Sequence, residues 1–167
     1  MYQEAMALGY LGKKQEKADI LKKFHETFPK SSYLSNSRFE EARTLHDLRM
    51  YDDALKGYSS LYADYPNGPY AVSCLKNMGL IYRAKNDPDN ALVQYKKAVS
   101  LVKNAQGSDF VDLLHEIKEI YVAKGQLDQW ETYSASVGYS ESQSVADSTT
   151  FVAVSYTHLT LPTILRV

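Results

Sequence analysis

Cysteine is almost absent from this sequence of 167 residues, in which Cys74 is the only one. A single thiol cannot build an internal disulfide framework or a cysteine-rich zinc site. No apolar stretch approaches the ~18 residues that a membrane-spanning helix needs. Lys and Arg total 19 against 20 Asp and Glu, so the positive excess of a strongly basic nucleic-acid binder is missing. We therefore expect no nucleic-acid partner and no membrane span.

Motifs of catalysis and of metal binding are missing as well. Only eight glycines occur, and they build neither a phosphate-binding loop nor a Gly-x-Ser-x-Gly elbow. No histidine has the His-x3-His or Glu-x2-His spacing of a metal site. Neighbouring carboxylates such as Asp52 and Asp53 point about 100° apart on a helix, which suits acid–base catalysis poorly. The sequence predicts a protein that is not an enzyme and that holds no metal or other cofactor.

An internal repeat of about 37–39 residues runs through most of the chain. The string Phe-Pro-Lys-Ser-Ser-Tyr at 28–33 recurs as Tyr-Pro-Asn-Gly-Pro-Tyr at 65–70, with the two prolines 37 residues apart. Tyr58 and Tyr95 are separated by the same distance. Within each copy, small and apolar residues recur at spacings of three and four, which is typical of one helix face. Each copy is therefore predicted to form two helices joined by a turn.

The boundaries of these helices follow from caps and turns. Asp87 is a residue type that favours the N-cap and Pro88 suits the first helical position, so a helix is expected to begin there. No strand is predicted before residue 150. We predict helices near residues 2–11, 14–27, 35–49, 51–64, 70–84, 88–103, 109–124 and 126–137.

This pattern resembles the tetratricopeptide repeat, whose motif combines aromatic, Leu-Gly and Tyr positions with a second-helix Ala-x3-Phe-x2-Ala. The first copy departs from it with Lys17, and the fourth with Trp130, at the position of the first Ala. The resemblance covers residues 1–137, in units 1–33, 34–70, 71–107 and 108–137. It implies an all-α fold, an α-solenoid of stacked helix–turn–helix hairpins. The third copy carries the motif best, at Leu75, Met78, Gly79, Tyr82, Ala91, Tyr95 and Ala98.

The resemblance also implies a binding surface. In such arrays the first helix of each hairpin lines a concave groove, which suits an extended peptide or a partner helix. The alternative is that these positions are ordinary solvent-facing residues of a structural array. The candidate protein-binding residues are Tyr2, Met6, Tyr10, Phe39, Arg43, His46, Asp47, Lys76, Leu80, Arg83, His115 and Glu119.

The two ends of the chain differ from the repeat. Residues 138–153 are rich in Ser and Thr and form either a linker or the start of a further helix. The string Val-Ser-Tyr-Thr-His-Leu-Thr-Leu-Pro-Thr at 154–163 resembles a translated transposon-end sequencing adapter, so we interpret 154–167 as an artefact. The alternative is a genuine Thr-rich, β-like tail. We expect the natural protein to continue at both ends, and the exposed ends of the solenoid to self-associate.

These observations favour a non-enzymatic scaffold that binds a protein or peptide in its groove. The turn sequences resemble those of bacterial cell-envelope tetratricopeptide proteins, including Tol-Pal-associated and Bacteroidetes members. That resemblance implies a fragment of a larger periplasmic protein, while a cytoplasmic location stays open. The alternative function is a sensor or regulatory module of a larger signalling or transcription-regulating protein.

Overall fold

The computed structural model describes residues 1–102 and 107–139, which form eight α-helices and no strand. The all-α solenoid prediction is confirmed, and the helix ends differ from those expected by at most two residues. None of the helices in these residues is long and apolar enough to cross a membrane. The predicted linker beyond residue 139 and the adapter-like tail lie outside the described residues. The helices are α1 Tyr2–Tyr10, α2 Lys14–Thr27, α3 Leu34–Asp47, α4 Tyr51–Asp64, α5 Ala71–Ala84, α6 Pro88–Leu101, α7 Ser108–Ala123 and α8 Leu127–Ser136.

Each helix packs against the next one along the chain, so the helices form four hairpins stacked in sequence order. One apolar core runs from the second hairpin to the fourth. Tyr58 of α4 and Tyr95 of α6 lie in it, both fully buried, at equivalent places 37 residues apart. Because no hairpin covers its apolar face alone, the neighbours must stack to complete the core. The many tyrosines are therefore used largely as packing residues.

The turn inside each hairpin repeats the same backbone conformation. Gly12, Arg49, Asn86 and Gly125 have φ values of 74°, 61°, 59° and 66°. Each is the second residue after the end of the first helix of its hairpin. A left-handed residue there lets the following amide donate a hydrogen bond to a free carbonyl of the helix. After Arg49, for example, the Met50 amide donates to the Leu45 carbonyl at 2.9 Å. The turn geometry thus follows the 37- to 39-residue period.

Two expected local features are present in the structure. The Asp87 carboxylate accepts a hydrogen bond from the Asn90 amide at 3.1 Å, with Pro88 in the first turn of α6. The two hydrogen bonds from Asn90 lower the pKa of Asp87. Trp130 stands at the small position of the fourth hairpin and is only 3% exposed. Its ring packs against the Tyr139 ring, with the two ring centroids 6.1 Å apart. The fourth hairpin therefore accommodates a large ring where the motif has alanine.

Gly79 allows a close approach between α5 and α6. A Cβ placed there would lie 2.3 Å from Cε1 of the Tyr95 ring, which is fully buried and cannot move aside. Replacement by alanine must displace α5 from α6, at a cost of ~1–3 kcal/mol for overpacking.

We expect Gly79→Ala to lower the free energy of unfolding by about 2 kcal/mol in urea titrations, because the added methyl group overpacks the α5–α6 contact. Gly57→Ala is the matched control, since it makes the same change within a helix and its Cβ would meet Ala42 at a milder 3.0 Å. Equal stability of the two variants would contradict this account of the α5–α6 contact.

Arg49 adopts a left-handed conformation that costs a non-glycine residue ~1–2 kcal/mol. Glycine removes this cost but loses more backbone entropy on folding, about 0.5–1 kcal/mol. We expect Arg49→Gly to raise the free energy of unfolding by roughly 0.5–1 kcal/mol, measured by thermal and urea denaturation. The control is Gly125→Ala, which should reduce stability because it places a side chain on a left-handed residue.

Candidate protein-binding groove

The cleft between the first two hairpins collects several of the candidate residues. Its walls are contributed by α1, the start of α2, and α3, and it encloses about 250 Å³. Met6 and Tyr10 lie on one side, and Arg43 and Asp47 on the other. Tyr10 is 93% exposed, so its ring is almost entirely available for contact. The cleft thus combines apolar, aromatic and charged groups on one open surface.

A buried ion pair forms one wall of this cleft. The Lys17 ammonium donates to Oε2 of Glu40 at 2.7 Å, and Arg43 donates to the same oxygen at 2.8 Å. The side chains of Lys17 and Glu40 are only 9% and 15% exposed. Burial raises the pKa of Glu40, but the hydrogen bonds from Lys17 and Arg43 outweigh it, so the pKa lies below its ordinary value. Glu40 is therefore a carboxylate at neutral pH, shared by two cations.

The lysine at the small position of the first hairpin is accommodated by a neighbouring glycine. A Cβ on Gly9 would lie 3.1 Å from Cδ of Lys17, so the lysine stem passes directly over that glycine. The ammonium thereby leaves its own hairpin and reaches Glu40 on the next one. Lys14 and Asp47 make a second pair between the same hairpins at 3.3 Å.

Two aromatic candidates, Tyr2 and Phe39, take part in equivalent stacks between hairpins. Tyr2 stacks on Tyr33 with ring centroids 5.2 Å apart, and its hydroxyl donates to the Asn36 side chain. Phe39 stacks on Tyr70 at 4.7 Å, in the same arrangement 37 residues later. One ring face of each candidate is therefore covered by the chain itself.

Ion pairs also join the third hairpin to the fourth. Arg83 donates to Glu119 at 2.9 Å and bonds Glu116 as well, while Lys76 lies 3.4 Å from Asp112. Residues 71–107 contain six Lys or Arg and two Asp or Glu, whereas 108–137 contain two and six. Opposite net charges on neighbouring hairpins favour this stacking, although each exposed pair contributes only ~0–1 kcal/mol.

The remaining candidates on the first helices are reachable to different degrees. Leu80, on α5, is half-buried. His46 packs edge-on against Tyr51 at 5.9 Å, which leaves it partly exposed. His115 is 68% exposed and its Nδ1 lies 3.8 Å from Oε1 of Glu119.

In the described residues no cluster of His, Cys, Asp or Glu could hold a metal ion. Burial raises the pKa of Cys74 to about 12, so this thiol is protonated at neutral pH.

Comparison with known proteins supports a single kind of fold. Residues 1–31 match a family model described as a tetratricopeptide repeat. MamA 41-end from Desulfovibrio magneticus RS-1 is similar in structure, with a TM-score of 0.62 and 18% identity over 81% of this chain and 71% of that chain. The fold is a tetratricopeptide-like solenoid.

Two further solved structures have similar tetratricopeptide-like architecture. BtubC (BKLC) from P. vanneervenii has a TM-score of 0.67 and 14% identity over 99% of this chain and 66% of that chain. A putative kinesin light chain from Podosopora anserina, with nearly identical TPR-like repeats, has a TM-score of 0.63 and 16% identity over 81% and 71%. These likenesses concern the fold alone. No curated protein matches the sequence.

The tetratricopeptide motif does not predict the charged wall of the cleft, because Lys17 departs from that motif. A lysine at a helix-packing position needs a buried carboxylate partner. Glu40 is the residue in the sequence that could have indicated this partner, because it lies one hairpin further on and three residues before the candidate Arg43. Which carboxylate the lysine reaches depends on how the two hairpins stack.

We expect Lys17→Met to lower the free energy of unfolding by about 1–3 kcal/mol, since it leaves Glu40 with a single cation. The loss stays below the ~3–5 kcal/mol of a fully buried pair because Arg43 still binds the carboxylate. Lys22→Met, which removes an exposed lysine of the same helix, is the control. Urea denaturation at pH 7 gives both values, and equal effects would rule out a stabilising pair.

The same pair predicts an acid dependence. The folded-state pKa of Glu40 lies below its ordinary value of 4.5, so its contribution is complete above that pH and is lost as the pH falls through the folded pKa. Glu40→Gln should therefore flatten the acid side of the stability profile between about pH 5 and pH 2. An unchanged slope in the variant would show that the carboxylate is not specifically stabilised.

Proposed function

We propose that this protein is a non-enzymatic interaction scaffold that binds an extended peptide or a helix of a partner protein along its first helices. The cleft between the first two hairpins carries this proposal. It offers an exposed ring at Tyr10, a flexible apolar side chain at Met6 and a guanidinium at Arg43 within one concave surface. Exposed aromatic and arginine side chains in a concave site are the residues that most often dominate binding energy.

The cleft favours a segment that presents an apolar side chain beside a hydrogen-bond acceptor. Met6 and Tyr10 supply the apolar contact. Arg43 is 54% exposed and uses one of its two terminal nitrogens on Glu40, so other N–H groups remain to donate. Because Lys17 already neutralises Glu40, the exposed guanidinium keeps an attraction for a carboxylate or a backbone carbonyl of the partner.

The rest of the proposed groove continues over the first helices of the third and fourth hairpins. Leu80 offers a second apolar contact, and His115 and Glu119 offer exposed polar groups. Tyr2 and Phe39 stand in stacks between hairpins and would present ring edges to a bound segment. Arg83 and Lys76 are engaged with the fourth hairpin and would act by holding the groove in shape.

The finer assignments rest on the same groove. In this proposal each repeat contributes its first helix to the groove, and the repeats are the units 1–33, 34–70, 71–107 and 108–137. The role as a piece of a bacterial cell-envelope scaffold, and the alternative of a sensor or regulatory module, both use a protein-binding groove and stay predictions. Self-association through the ends of the solenoid also stays a prediction.

A display library of random 12-residue peptides, selected on the immobilised full chain, tests the groove. Selected peptides should bind the Met6→Ala/Tyr10→Ala variant at least tenfold more weakly, because the apolar contact is lost, as measured by fluorescence anisotropy. Arg43→Glu should weaken the binding further. The control is Lys22→Ala/Lys23→Ala, two exposed lysines of α2 that belong to no candidate position. Selected peptides that bind all variants equally would refute the proposed groove.

A further inference from the structure

A second concave surface lies between α4 and α6, with α5 as its floor. It encloses about 570 Å³, and none of the twelve candidate groove residues lines it. We call this surface the α4–α6 notch and define it by the side chains used below: Leu55, Lys56, Tyr62, Met78, Tyr82 and Lys97. The notch is separate from the groove in its residues, although α5 contributes side chains to both surfaces.

Part of the notch is apolar and adaptable, and Ser59, Ser60 and Gln94 line the rest of it together with the lysines. Leu55, Tyr62 and Tyr82 are half-buried and pack against the hydrophobic core, and Met78 is 6% exposed. Aromatic rings and a thioether make favourable contacts with many apolar side chains, because the rings are flat and methionine is flexible. A single aromatic or aliphatic side chain of a partner fits a surface of this kind.

Both charged side chains that line the notch are lysines, and one carboxylate, Asp53, lies beside the first of them without lining the notch. Lys56 and Lys97 are its charged lining residues, and no carboxylate is among the lining side chains. Lys56 is 80% exposed, and its partner Asp53, one turn earlier on α4, is 3.6 Å away. Lys97 makes no ion pair with any other residue that the structure describes. Because the whole chain carries a net charge of −1, this local excess is a property of the notch itself.

The neighbouring notch between α2 and α4 provides an internal comparison. Its lining contains acidic and basic side chains in equal number, which compensate one another. It therefore has no preference for the sign of a partner's charge. The acids are Asp19, Glu41 and Asp53, and the bases are Lys22, Arg38 and Lys56, the last of which lines both notches.

We propose that the α4–α6 notch is a second protein-binding site, which takes an acidic segment of a partner with one aromatic or aliphatic side chain between flanking carboxylates. The apolar side chain contacts Met78 and Tyr82, and the carboxylates approach Lys56 and Lys97. This site is independent of the groove, so one scaffold can hold two partner segments at once. The charge pattern selects acidic segments and disfavours basic ones.

The test uses a fluorescein-labelled, amidated peptide of sequence Glu-Asp-Glu-Phe-Glu-Asp-Glu and the full chain, measured by anisotropy at low salt. Lys56→Glu/Lys97→Glu should raise the Kd at least tenfold, because two attractive contacts become repulsive. Lys22→Glu/Lys23→Glu changes the net charge by the same amount at exposed positions of α2. This control variant should raise the Kd less than threefold. Met6→Ala/Tyr10→Ala should leave the Kd unchanged, which separates this site from the proposed groove.

Two control peptides test the two parts of the site. Replacing each Glu and Asp by Gln and Asn should abolish binding, and replacing Phe by Gly should weaken binding at least tenfold. Equal effects of the two lysine-reversal variants, full binding of the glycine peptide, or no binding of the acidic peptide at 1 mM would each overturn the proposal. Circular dichroism of each variant verifies that the helices are retained.

Discussion

The stacking of hairpins is the constraint on which the rest of this structure depends. Two helices with one apolar face each cannot exclude water by themselves, so every hairpin needs a neighbour on which to pack. Tyr58 and Tyr95 show the consequence, because each is fully buried. Gly79 shows the limit, since the Tyr95 ring occupies the space that a Cβ would need. Side-chain volume therefore determines how closely adjacent helices approach.

Polar contacts between hairpins fix how the apolar faces align. The Lys17–Glu40 pair joins the first two hairpins, and Arg83 joins the third to the fourth. Apolar faces alone tolerate small shifts between hairpins, whereas a buried lysine must find its carboxylate or pay a large desolvation cost. The same pairs bring Arg43 and the exposed Tyr10 to one cleft. The interactions that align the hairpins thus also shape the proposed binding surface.

The fold was largely predictable from residue spacing. Helical hairpins leave a period of 37–39 residues in the sequence, and the ends of the helices coincide with recognisable signals such as Asp87 and Pro88. The left-handed residue at the turn was harder to recognise, because Arg49 does not belong to the residue types that favour that conformation. Its position is nonetheless the one that Gly12 predicts one period earlier. Local chemistry and periodicity together account for these features.

The site was predictable only in part. Spacing placed Met6, Tyr10 and Arg43 on first helices, and the structure brings them to a common cleft. The spacing in the sequence did not show that Tyr2 and Phe39 stack on rings of the following turns, or that Lys17 reaches Glu40. The sequence alone determined the helices, their turns and the repeat, because these depend on neighbours within a few residues. Only the tertiary structure decided which charges pair and which ring faces stay open, because those contacts join residues about one hairpin apart.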